Sequence, residues 1–173
     1  MRRDYAQALV WYRKGAEQGN ADAEFQLGGL YHSGHGVPKD DAQAFVWIKK
    51  AAEQENADAE HFVSVCYEEG WGVPKDDAHG IFWLRRAAED GDASSQYLLG
   101  WAYQLGDAGV LPQDNAEAYF WLDLAASGDV TRKRRKEALK RRDAAASHLT
   151  SDEISRAHDR ARKWVDEHPT VSQ

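Results

Sequence analysis

The sequence predicts an all-α helical solenoid, built from stacked antiparallel helix pairs. Three observations carry that prediction. Trp11, Trp47 and Trp83 recur at a step of 36 residues, and Trp121 follows after 38, the two extra residues falling in the loop from Gly106 to Pro112. Tyr31, Tyr67 and Tyr103 keep the same step, as do Gly34 with Gly70 and Pro38 with Pro74. Helix-starting and helix-ending residues alternate within every period. A repeat of this length is the size of one helix pair, which buries its apolar face only against a neighbour.

The elements follow in order. Asp4, Asp41, Asp77 and Asn115 precede apolar stretches and can cap the first helix of each period, helix A, by accepting from its unpaired backbone N–H groups. Gly19 and Gly91 can take the left-handed conformation that closes a helix, and Glu55 stands at that place in the second period. Asn20, Asn56 and Asp92 then cap the second helix, B. Helix B stops at Gly34, Gly70 or Gly106, with Pro38, Pro74 or Pro112 just beyond. Small residues recur where helices must approach: Ala8, Ala44, Gly80 and Ala118 on helix A, and Gly28, Ser64 and Gly100 on helix B. The four tryptophans are expected to fill the space between pairs. The boundaries are repeats at about 4–39, 40–75 and 76–113, a partial fourth at 114–128, a cap at 129–168 and a tail at 169–173, within one domain spanning 1–173.

The fourth period changes character. Thr131-Arg132-Lys133-Arg134-Arg135-Lys136 replaces the expected small and apolar positions, as a terminal cap with a water-facing side requires. Thr150 and Glu153 have capping-box spacing. Ile154, Ala157, His158, Ala161, Trp164 and Val165 then form one helical stripe, expected to dock on the preceding helix and close the array.

Ala6 through Trp11-Tyr12, Gly15-Ala16, Gly19, Ala21-Asp22-Ala23, Leu27-Gly28, Tyr31 and Gly34-His35-Gly36-Val37-Pro38 together resemble the Sel1-like repeat, a relative of the tetratricopeptide repeat. The resemblance covers residues 4 to about 128. It implies a right-handed superhelix with helix A on the concave side, acting as a non-catalytic scaffold or adaptor for protein partners in bacterial signalling, envelope assembly or host interaction. A cysteine-rich branch of the family is linked to β-lactam binding and hydrolysis and joins its helices by disulfides. Leu30 and Ala102 stand in the Cys66 column here, so a β-lactam-processing enzyme is the disfavoured alternative.

Composition narrows the function classes further. The chain has 173 residues and one cysteine, so no internal disulfide forms. No run reaches the roughly 20 apolar residues of a membrane span, and the first residues lack a secretory apolar stretch. The expected setting is a soluble protein of the bacterial cytoplasm or periplasm, the compartment staying open. His32 and His35 lack a third ligand at metal spacing, and no nucleophile elbow or phosphate-cradling loop occurs. No catalytic residue, metal or cofactor is expected. Arg132 to Arg142 carries +7 in a chain of net charge −7, leaving −14 elsewhere. That segment offers an anionic-polymer site as a further alternative, but it lacks aromatics for base stacking and is expected instead to face Asp152, Glu153, Asp159 and Asp166.

The exposed stripe of helix A, on the concave face that the resemblance implies, holds the candidate site. Val10, Val46, Phe82 and Phe120 recur there, flanked by Lys14, Lys50 and Arg86. Such a ladder suits a protein or peptide with apolar anchors and acidic flanks. The N-terminal edge, which opens directly on helix A, is expected to be either a cut through a longer protein or a surface for self-association.

Overall fold

The computed structural model describes residues 5–106, 109–128 and 130–168. These form α1 (Tyr5–Glu17), α2 (Ala21–Ser33), α3 (Asp41–Ala52), α4 (Ala57–Glu69), α5 (Asp77–Glu89), α6 (Ala93–Leu105), α7 (Asn115–Ser127), α8 (Arg132–Ala146) and α9 (Ser151–Glu167), with no strand among the described residues. The chain divides into two compact units, Met1–Asp90 and Gly91–Gln173.

Local chemistry sets the helix ends. Asn20 and Asn56 accept from the backbone N–H groups of Ala23 and Ala59, at 2.8 and 2.9 Å, and Asp92 caps α6 in the same way. The A-helix caps are Asp40, Asp76 and Asp114, one residue earlier than expected. The acid doublets allow two registers, and only the first residue has the extended backbone a cap needs. Asp41 lies inside α3 instead, paired with His32 at 2.8 Å. Asp4 lies outside the described residues. Gly34 and Gly70 close α2 and α4 in the left-handed conformation.

In the first unit, α2 packs more extensively on α3 than on α1, and α4 more on α5 than on α3. The closer pairing is therefore helix B with the A helix that follows it. Gly28 makes this possible, because a Cβ there would strike Ile48 Cγ1 and lie 3.0 Å from the Ala44 carbonyl oxygen. The core gathers Ala44, Ile48, Ala51, Ala52, Ala59, Val63 and Trp83. Trp83 thus packs back onto α3 and α4. Trp11 does not do the expected filling: it is 64% exposed, because no earlier pair exists among the described residues for it to pack against. Trp47 is half-buried, with Lys50 Nζ 4.2 Å over its ring.

In the second unit, α7 is buried without a break from Ala118 to Ala126 by α6, α8 and α9. Gly100 of α6 approaches α7 as Gly28 approaches α3, with Leu122 Cγ 2.7 Å from a Cβ there. The capping box at Thr150 and Glu153 forms. The final helix docks on α7 rather than on α8, its immediate predecessor, seating Ala157 and Ala161. Asp123 joins the three helices: Arg142 Nη1 donates to Oδ1 at 2.8 Å, and His158 Nδ1 lies 2.9 Å from Oδ2. Among the described residues, the acids expected to face the basic segment do not pair with it. Arg135 donates to the Ala126 and Gly128 carbonyls at 3.0 and 3.2 Å, and Arg141 to the Tyr97 hydroxyl at 2.8 Å while lying over Trp101. These arginines satisfy the end of α7 and the face of α6.

Candidate functional site: an exposed apolar column

Helical periodicity places Val10, Val46 and Phe82 one period apart on α1, α3 and α5, and all three reach solvent, at 66, 48 and 53% exposure. Phe82 meets the Trp83 ring edge-on at 5.6 Å. Lys14 and Lys50 are exposed beside this column.

Two sequence-derived members leave the site. Phe120 is 2% exposed: α9 covers α7, and the Arg160 guanidinium lies 3.8 Å over the Phe120 ring while pairing with Glu117. A solvated face on the earlier A helices becomes a packed one where the cap lies over it. Arg86 turns inward, its Nη2 3.0 Å from Glu60 Oε1 and its guanidinium 5.1 Å from the Trp83 ring centre.

Glu60 itself lies outside the face considered from sequence, although a periodic signal marks it. Glu24, Glu60 and Gln96 share one column of helix B, and all three are buried. A charged residue recurring beside the small column Gly28, Ser64, Gly100 could have shown that helix B carries a buried polar position. Glu24 accepts from Gln54 Nε2 at 2.6 Å. Burial raises its pKa, opposed by Lys50 and by that hydrogen bond. Neither Glu60 oxygen has a well-aligned hydrogen bond, since Arg86 approaches close but off-axis. Burial, reinforced by the nearby Asp90 carboxylate and opposed by Arg86, pushes Glu60 up to about 7.

The remaining reactive groups sit in packing roles. His32 binds Asp41 and lies 4.6 Å from the Trp71 ring, while His35 stacks on Tyr5 at 4.3 Å. The Cys66 thiol is buried, and burial pushes its pKa up to about 12, far from a reactive thiolate. Among the described residues no three His, Cys, Asp or Glu side chains gather as a metal site, and no helix is long and apolar enough to cross a membrane.

The family described as the Sel1 repeat matches residues 1–20, 21–56, 57–92 and 93–130. The last three of these segments run from helix B into the following A helix, the pairing that packs most closely in the first unit. A Sel1 repeat protein from Oxalobacter formigenes has a solved structure similar to this one, with a TM-score of 0.70 at 28% identity, covering 94% of this chain and 81% of that one. The protein c5321, a protective antigen of uropathogenic Escherichia coli with an SLR fold, gives 0.54 at 27% identity, covering 92% of this chain and 41% of that longer one. No curated protein matches the chain. Both neighbours are bacterial and share the all-α repeat class expected from the sequence.

Proposed function

The chain belongs to the Sel1 repeat family, whose members are generally non-catalytic protein–protein interaction scaffolds, and from that premise we propose that it captures a protein or peptide partner on the outward face of α1, α3 and α5. One observation carries the reading: Val10, Val46 and Phe82, aligned by the repeat, all stand in water. Fully burying side chains of this kind is worth about 1.5–3 kcal/mol each, so a partner that covers the column gains affinity from it. Apolar anchors spaced along an extended or helical segment fit the column, and acidic flanks fit Lys14 and Lys50. Arg86, committed to Glu60, stays out of the contact, and so does Phe120.

Because Val46 and Phe82 are exposed, replacing both by serine leaves the core untouched. The double variant Val46→Ser/Phe82→Ser is expected to keep its helicity and melt within a few degrees of the parent while losing its partners in affinity capture with mass spectrometry. Retention of the same proteins by the variant contradicts the proposal.

A further inference from the structure

Helix α8 carries its charge against its own stability. Helices α2, α3, α4, α5, α7 and α9 each place an acid in the first turn, where unpaired N–H groups and the helix dipole favour one. The first turn of α8 is instead Arg132-Lys133-Arg134-Arg135, with no acid. Packing uses only part of this charge. Arg134 meets the Ser94 hydroxyl, Arg135 satisfies carbonyls at the end of α7, Arg141 binds the Tyr97 hydroxyl and Arg142 pairs with Asp123. Arg132, Lys133, Lys136 and Lys140 are exposed and make no ion pair with a described residue. Helical periodicity puts these four on one arc of α8, opposite the buried Ala138 and Ala145, along about 12 Å of its length. The acids at the edges of this ridge, Glu137 and Asp143, already pair with Arg141 and Arg142.

Apolar groups stand beside the ridge. The Arg134–Ser94 and Arg141–Tyr97 contacts align α6 and α8 side by side in the same direction. Gly100 of α6 and Ala138 of α8 both turn toward α7, which leaves the opposite sides of the two helices facing out together. On that side of α6, Trp101 and Leu105 lie one turn apart and reach solvent, Leu105 at 65% exposure. The earlier periods hold Gly29 with Ser33 and Val65 with Glu69 at these places, so the repeat does not require the two large side chains. Leu105 also lines a shallow depression with Val110, Leu111 and Pro112, in the loop that lengthens this period.

We propose that this outer side of α6 and α8 is a peripheral contact for the surface of an anionic lipid bilayer. The four cations meet headgroup phosphates, while Trp101 and Leu105 enter the boundary between headgroups and hydrocarbon. Nucleic acid supplies phosphates but no hydrocarbon to bury Leu105, and the Arg141 guanidinium, 4.5 Å over the Trp101 ring, takes a face on which a base would stack. A bilayer presents fixed negative charge and hydrocarbon side by side. Screening within about 8 Å lets the ridge act although the chain as a whole carries −7.

Flotation of the full chain with large vesicles tests the assignment. At about 0.15 M salt the chain is expected to rise with vesicles of equal parts phosphatidylcholine and phosphatidylglycerol and to stay behind with phosphatidylcholine alone. A chain of net charge −7 is repelled by such vesicles overall, so capture reports the local patch. Lys133→Gln/Lys136→Gln is expected to lower partitioning about thirtyfold, and Leu105→Ser about tenfold. Helicity and melting stay those of the parent, because all three side chains are exposed, and Lys133→Arg/Lys136→Arg retains binding. No flotation of the parent with the anionic vesicles, or flotation indifferent to both Lys133→Gln/Lys136→Gln and Leu105→Ser, overturns the proposal. Tighter binding of labelled single- or double-stranded DNA than of the anionic vesicles at the same salt overturns the bilayer in favour of nucleic acid.

Discussion

Glu60 concentrates the electrostatic tension of the first unit in one side chain. Its carboxyl is fully buried, and its pKa rises from an ordinary 4.5 to about 7. For an acid raised in the folded state, the stability it contributes is complete below 4.5 and is lost as pH climbs through about 7. Asp90 and Glu55 oppose its ionisation, and Arg86 favours it. Gln96 fills the same column in the third period, so the substitution Glu60→Gln fits the repeat. The variant is expected to gain melting temperature relative to the parent as pH rises from about 5 to above 7. A difference between the two melting temperatures that does not change with pH contradicts the assignment. Glu55 gives a second prediction at this scale. Its φ of 62° is the left-handed backbone that Gly19 and Gly91 supply in their periods, and a side chain there is strained. Glu55→Gly is expected to stabilise by about 0.5–1 kcal/mol in urea melts.

Two adjacent glycines show what the helices require of each other. Gly28 and Gly29 share α2, and alanine improves helix propensity at either place by about 1 kcal/mol. At Gly29 nothing lies within 4 Å of the added Cβ, so Gly29→Ala stabilises by roughly that amount. At Gly28 the Cβ collides with Ile48, so Gly28→Ala destabilises by about 1–3 kcal/mol despite the same propensity gain. Denaturation midpoints that move in the same direction for both variants would contradict the packing described. The crossing itself was legible, because Gly28, Ser64 and Gly100 recur at one step. Which neighbour they cross was not, since periodicity marks a buried stripe without saying whether the preceding or the following helix covers it. Cap registers were off by one at Asp40 and Asp76 because both residues of each doublet can accept the hydrogen bond and only backbone conformation separates them.

At the scale of the chain, repetition made the all-α array readable and also set the bounds of the site reading. A column argument assumes equal surroundings in every period. That holds for Val10, Val46 and Phe82, which remain exposed, and breaks at Phe120, where α9 lies over α7. It breaks again at Trp11, which is exposed and has no earlier helix pair among the described residues. Arg86 departs for a different reason: a buried acid one turn into α4 drew it inward, a pairing between helices that no spacing within α5 reveals. The column on α1, α3 and α5 remains the surface on which the account of function depends. Photo-crosslinking tests it most directly, with p-benzoylphenylalanine placed at position 46 or 82 and, as control, at the exposed position 26 of α2, in cells expressing the chain. Partner adducts from 46 and 82 and none from 26 are the predicted result; adducts from 26 alone, or none from either column position, would contradict it.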